Sequence, residues 1–177
     1  FGEYVPFQPV LFFVRRLVEA AGDFAAGKDW RPLVLGDQRI GVLICYEAIF
    51  PELSRRTTRK GATMLVNITN DAWFGPSSAP YQHLQMARWR AVESRVPLVR
   101  AANTGISAVF DARGLPCVSL PLDTLGAASC TIRPLSVKTV YERLSEWFAL
   151  SCMGATLASI TFSSLVPAAR KAGEDAA

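Results

Sequence analysis

Histidine is almost missing from this chain of 177 residues: His83 is the single one. The four cysteines, Cys45, Cys117, Cys130 and Cys152, include no C-x-x-C pair. These two shortages exclude a structural zinc site, which needs four clustered nitrogen and sulfur ligands. Charge is scarce as well: 19 basic and 15 acidic residues leave a formal net charge of +4. That excess is scattered, with no basic stripe interleaved with aromatics, which argues against nucleic acid as a partner. A secretory signal is also missing. The chain opens at Phe1 without Met, in what reads as the middle of a motif. It is therefore read as a fragment of a longer protein, and the missing signal carries no message about location.

What is present is apolar. Half of the residues are hydrophobic, and the mean hydropathy is +0.21. This fits one globular domain with a sizeable core, plus something more apolar than a soluble domain needs. Strand-like runs alternate with helix-like ones. Leu33 to Leu35, Arg39 to Cys45, Ala62 to Thr69, Leu98 to Ala102 and Ile106 to Phe110 read as strands. Cys117 to Leu120 and Ala127 to Ile132 read as further strands. Leu11 to Ala21, Pro51 to Lys60 and Tyr81 to Arg95 read as helices, the second begun by Pro51. Arg88, Arg90 and Arg95 fall on what reads as the solvated face of the third, with Glu93 as an ion-pair partner. The alternation predicts a layered α/β fold. Cys117 and Cys130 are a possible disulfide pair in an oxidising compartment.

The last part changes character. Trp147 to Val166 is about 20 residues without a formal charge, the length that spans a hydrocarbon core as one helix. Trp147 and Phe148 stand at one end as interfacial aromatics do, and Pro167, Arg170 and Lys171 follow the other. The alternative is a buried terminal helix. The expected division is a catalytic region over residues 1–140, a linker over 141–146, a transmembrane helix over 147–166 and a cytoplasmic tail over 167–177.

Cys45 is the first candidate for chemistry. It ends the apolar run Gly41-Val42-Leu43-Ile44 and is followed by Tyr46 and Glu47. A thiol at a strand end is well placed to meet a substrate, although most cysteines in such runs are core filler. A nucleophilic thiol needs a proton acceptor and an oxyanion site. His83, Glu3 and Glu47 are the candidate bases, and the alternatives stay open on residue type alone. Asn70-Asp71-Ala72-Trp73-Phe74-Gly75 follows a buried strand directly, as the mouth of an α/β site does. Asp71, Trp73, Phe74 and His83 are therefore candidates for substrate binding. The competing reading is a turn in which Asp71 bonds its own backbone and Trp73 plugs the core.

FGEYVPF, the strand ending CYE, NITNDAWFG, QHLQMARWRAVE and the NTGIS turn occur in this order. Together they resemble the carbon-nitrogen hydrolase (nitrilase) superfamily and, within it, the bacterial apolipoprotein N-acyltransferases. The resemblance runs from Phe1 to about Gly114 and continues weakly through Thr139 to Arg143. It implies a nitrilase-like α-β-β-α sandwich, partial because an N-terminal part is missing, followed by one C-terminal transmembrane helix. It implies a Glu–Lys–Cys triad with Cys45 as nucleophile. The base and the lysine are expected upstream of Phe1, and neither Lys28 nor Lys60 matches the lysine.

Glu3 matches an additional essential glutamate. Tyr46 and Glu47 flank the nucleophile, and the Tyr46 N–H is expected to hold the oxyanion. The implied reaction moves an acyl chain from a phospholipid donor through a Cys45 thioester to the amine of a diacylglyceryl lipoprotein. Trp73, Phe74 and Phe7 would guide the acyl chains. No cofactor is implied. A monomer in the bacterial inner membrane is expected, with its catalytic domain facing the periplasm, and the isolated chain is expected to be inactive. A small-amide hydrolase and a non-enzymatic anchored module are the alternatives.

Overall fold

The computed structural model describes residues 27, 29–135 and 137–174, of which 164–174 by backbone alone. The expected helix over Leu11 to Ala21, together with Glu3, Phe7 and Lys28, lies outside the described residues. Six strands form one sheet in sequence order: β1 (Leu33–Leu35), β2 (Gln38–Ile44), β3 (Met64–Thr69), β4 (Leu98–Ala102), β5 (Ser107–Phe110) and β6 (Pro116–Leu120). β2, β3 and β4 run parallel, and the remaining neighbours pair antiparallel. Parallel strands need crossovers. These are supplied by helix α1 (Pro51–Arg59) between β2 and β3 and by α2 (Ala79–Ser94) between β3 and β4. Pro51 opens α1 at its first turn, where its missing N–H costs nothing. α2 stops at Arg95, which adopts a left-handed conformation (φ 52°) ahead of Val96 and Pro97.

Both helices cover the same face of the sheet. Leu43, Leu65, Leu98, Ala108 and Phe110 point into that layer and meet Ala48, Ala87, Ala91 and Val96, with Leu53 and Leu84 packed against them. Gly41 is what lets α1 come close. A Cβ there would sit 2.7 Å from Thr57 Cγ2 and 2.9 Å from Leu65 Cδ2. Register then sets a row across the sheet. Leu43 pairs with Asn67, Asn67 with Arg100 and Arg100 with Ala108. Two of those four side chains are polar, and all four are buried.

The structure departs from sequence expectation in several places. Ala127 to Ile132 forms no strand. Its run of small residues offers little to pack on a pleated surface, and Cys130 is tied by a disulfide to Cys117. Arg90 does not belong to a solvated face. It is 5% exposed, donates to Ile49 O at 3.0 Å and pairs with Glu93 at 2.8 Å. Arg88 reaches Gly114 O at 2.6 Å, and Arg95 is exposed.

The chain divides into two compact units, up to Glu142 and from Arg143. Within the first, Thr139 donates to Glu93 O at 2.7 Å and accepts from Glu142 N at 3.0 Å, at the start of α3 (Val140–Leu144). The second unit holds α4, a 28-residue helix over Trp147–Glu174 that continues through Pro167. The expected membrane span over 147–166 runs past the described side chains, which end at residue 163. Among the described residues no helix is long and apolar enough to cross a membrane. Within the described part of α4, Ser151, Thr156, Ser159, Thr161 and Ser163 place hydroxyls along an otherwise apolar helix. Three of these hydroxyls fold back onto the carbonyls of Trp147, Cys152 and Leu157 at 2.7–3.1 Å.

Candidate active site

The parallel strands β2, β3 and β4 end on one side of the sheet, and the segments that leave them carry the candidate residues. This is where α/β sheets bind ligands, because there the connections diverge and open a crevice. Hydrogen bonds knit the segments together. Asn70 Oδ1 accepts from Thr104 Oγ1 at 2.8 Å and from Ala72 N at 3.1 Å, and Asn103 N donates to Thr69 O at 2.9 Å.

Cys45 sits where β2 turns into a short 3-10 helix (Cys45–Ile49). Its φ is +49°, a left-handed conformation that costs a residue with a Cβ about 1–2 kcal/mol. Its thiol is free and half-buried. Cysteine is therefore held in a backbone conformation suited to glycine, and such departures cluster at functional sites. Glu47 folds back so that Oε2 accepts from Ile44 N at 2.8 Å. Tyr46 is 38% exposed and meets the Phe50 ring edge-on at 6.0 Å.

Behind the thiol lies a buried polar network. Arg100 donates through Nη2 to Asp71 Oδ2 at 2.7 Å, through Nε to Ile106 O at 3.2 Å and through Nη1 to Asn67 Oδ1. Asp71 Oδ1 also accepts from Thr69 Oγ1 and lies against His83 Nδ1, both at 3.0 Å. The same Nδ1 also stands 3.1 Å from Arg100 Nη2, so it faces a carboxylate acceptor and a guanidinium donor together. His83 Nε2 is buried and has no hydrogen-bond partner among the described residues. The Phe74 ring stands edge-on to His83 at 5.6 Å.

Burial works against the charge of Asp71, but the His83 bond, the Arg100 charge and the Thr69 hydroxyl outweigh it. They hold its carboxyl below the usual carboxylate range. Burial pushes Arg100 below its ordinary value, while Asp71 and the Cys45 sulfur pull it back up. Gly105 closes the network, since a Cβ there would fall 2.3 Å from Asp71 Oδ2.

The structure thus gathers Cys45, Tyr46, Glu47, Asp71, Phe74 and His83 at one end of the sheet. It divides them, however. Asp71 and His83 are each 3% exposed and bond inward, whereas Trp73 is 72% exposed. Asn67 and Arg100 escaped the sequence reading. Their signal was present: each is a polar residue at a core-facing position of an apolar strand, in MLVNIT and LVRAA. Among the described residues no cluster of His, Cys, Asp and Glu could hold a metal ion.

Comparison with known proteins places the chain in a family. The carbon-nitrogen hydrolase family model matches residues 3–142. An apolipoprotein N-acyltransferase of Geobacter metallireducens is 49% identical over 164 residues, covering 92% of this chain and 32% of the relative. Another, of Bradyrhizobium diazoefficiens, is 43% identical over 150 residues, covering 82% and 28%. The chain thus spans about a third of the length of the curated relatives it matches. The solved carbon-nitrogen hydrolase of Helicobacter pylori G27 superposes with a TM-score of 0.50 at 17% identity, covering 56% of this chain and 42% of that one, and shows the nitrilase-like α/β fold. With a match that runs through the strand end of Cys45, the loop of Asp71 and the turn of Gly105, the chain belongs to the carbon-nitrogen hydrolase family.

Proposed function

We propose that this chain is part of an N-acyltransferase that moves an acyl group from a membrane phospholipid to the terminal amine of a diacylglyceryl-cysteine lipoprotein. The observation that carries the reading is Cys45: a free thiol on a left-handed strand-end turn, within a sequence 43–49% identical to named apolipoprotein N-acyltransferases. In the first half-reaction the Cys45 thiolate attacks the ester carbonyl. The C–S bond forms, the ester C–O bond breaks, and the leaving lysophospholipid oxygen takes a proton. In the second, the acceptor amine attacks the thioester carbonyl. An amide C–N bond forms, the C–S bond breaks, and the amine gives up a proton. The Tyr46 N–H serves the oxyanion of both tetrahedral intermediates.

Glu47 supports the turn through Ile44 N rather than taking the thiol proton. Asp71 and His83 act from behind the site, because both are buried and Asp71 bonds through both oxygens to Thr69, His83 and Arg100. Trp73, exposed at the rim, guides the acyl chains, and Phe74 backs it against His83. α4 brings the protein to lipid. Its described part, 147–163, carries no formal charge and exposes Trp147, Phe148, Leu150, Met153, Leu157, Ile160 and Phe162. That apolar surface, and the names of the relatives, favour acyl transfer at a bilayer over hydrolysis of small amides.

The test uses the full-length protein and a phospholipid labelled in its acyl chain. A hydroxylamine-sensitive protein adduct is expected, and Cys45→Ser abolishes it. An adduct that persists in Cys45→Ser removes Cys45 from the mechanism.

A further inference from the structure

We propose that Asn67, oriented by Arg100, is a positioning residue for Cys45: it grips the backbone on both sides of Ile44 and so fixes the turn that presents the thiol. Asn67 is wholly buried. Its Nδ2 donates to Leu43 O at 2.9 Å and to Cys45 O at 3.2 Å. Between these two carbonyls, Ile44 N is held by the Glu47 carboxylate at 2.8 Å. Three bonds thus fasten the Leu43–Ile44 peptide and the Cys45–Tyr46 peptide, which flank a residue at φ +49°. A left-handed residue with a Cβ persists only where its surroundings over-determine it, and these bonds are what over-determines it.

The chemistry of the partners fixes which way the amide lies. A guanidinium has donors only, so the Asn67 atom facing Arg100 is the oxygen. Carbonyls have acceptors only, so the atom facing Leu43 and Cys45 is the nitrogen. Arg100 is in turn anchored at two further points, Asp71 Oδ2 and Ile106 O. Asparagine is the residue that suits this place. Aspartate would turn a second oxygen on two carbonyls, leucine offers no donor, and glutamine adds a methylene where no space is left.

The inference rests on Cys45 as the nucleophile and is independent of the acyl donor. In the full-length protein, the rate of Cys45 carbamidomethylation by iodoacetamide is followed on its own peptide by mass spectrometry. It is expressed relative to the rate for the same variant unfolded in guanidinium. Asn67→Leu and Asn67→Asp are expected to lower this ratio at least tenfold. Arg100→Lys keeps the charge but cannot reach Asn67, Asp71 and Ile106 together, and is expected to lower it about threefold.

Leu65→Ala, on the same face of β3, serves as a control for destabilisation alone. It is expected to lower the melting temperature while leaving the ratio within twofold of wild type. Should Asn67→Leu fail to fold, Asn67→Asp and Arg100→Lys carry the test. A ratio unchanged or raised in the Asn67 and Arg100 variants overturns the proposal, as does an equal fall in Leu65→Ala. Phospholipid turnover that survives Cys45→Ser removes Cys45 as the nucleophile, a failure distinct from an unchanged alkylation ratio, which overturns only the role of Asn67.

Discussion

Asp71→Asn is the smallest change that can unbalance the network behind Cys45, and its cost follows from counting acceptors. The Asp71 carboxylate uses both oxygens. Oδ1 takes Thr69 and His83, and Oδ2 takes Arg100. Asparagine has one oxygen. If that oxygen faces Arg100, its NH₂ turns on Thr69 Oγ1 and His83 Nδ1; if it faces them, NH₂ meets a guanidinium. Either way the Arg100 charge stays buried without a counter-charge, since both side chains of the pair are fully inaccessible. Breaking a buried pair in this manner costs about 3–5 kcal/mol. For a chain of this size that lowers the melting temperature by about 6–20 °C.

The pH dependence gives the second signature. The folded-state pKa of Asp71 lies below its ordinary value of 3.8. Its ionisation therefore stabilises the protein fully above pH 3.8, and that contribution is lost as pH falls through the lower folded value. Circular dichroism melts of wild type and Asp71→Asn should differ most near neutrality and converge below about pH 3.8. A penalty under 1 kcal/mol at pH 7, or one that stays constant into acid, would refute the reasoning.

Two further outcomes follow from the backbone and the disulfide. At Cys45 the positive φ penalises any side chain, so Cys45→Gly should be at least as stable as Cys45→Ala in urea denaturation. At an ordinary strand position glycine would lose about 0.5–1 kcal/mol to alanine, and that ordering here would show that the turn is unstrained. Cys117 and Cys130 are 13 residues apart. Closing such a loop stabilises by about 3 kcal/mol on the chain-entropy account, so the double Cys→Ser variant, or dithiothreitol, should lower urea-denaturation stability by that order. A stability unchanged by reduction would mean that the bond does no more than join two segments already fixed.

The parallel strands were legible because they are apolar runs too short for a helix and bounded by turn residues. Leu98 to Ala102 is found where the sequence placed it, and the strand expected over Arg39 to Cys45 appears one residue earlier, over Gln38–Ile44. The segment 127–132 misled because strand propensity reports packing on a pleated surface, and small side chains supply little of it. Cys45 could be picked out, since a thiol that ends a core strand breaks a local pattern. The ion pair behind it could not. Asp71 and Arg100 lie 29 residues apart, on the segment after β3 and within β4, and only the sheet register brings them together. The same limit explains Arg90: its carbonyl partner, Ile49, lies 41 residues upstream.

This network also bears on why a carbon-nitrogen hydrolase core should contain charge at all. A buried ion pair is weak grounds for stability, because apolar residues of similar volume in its place are often neutral or stabilising. An all-apolar row of Leu43, position 67, position 100 and Ala108 would pack the same layer. It would leave nothing to grip Leu43 O and Cys45 O, and Cys45 would have no reason to stay at φ +49°. Asn67 grips those carbonyls only if its amide is oriented. A guanidinium orients it, and a buried guanidinium requires Asp71. Each polar residue is thus required by the next, and the sequence of requirements begins at the backbone of the thiol. Stability alone would not have produced it, whereas a thiol that must be held at one angle would.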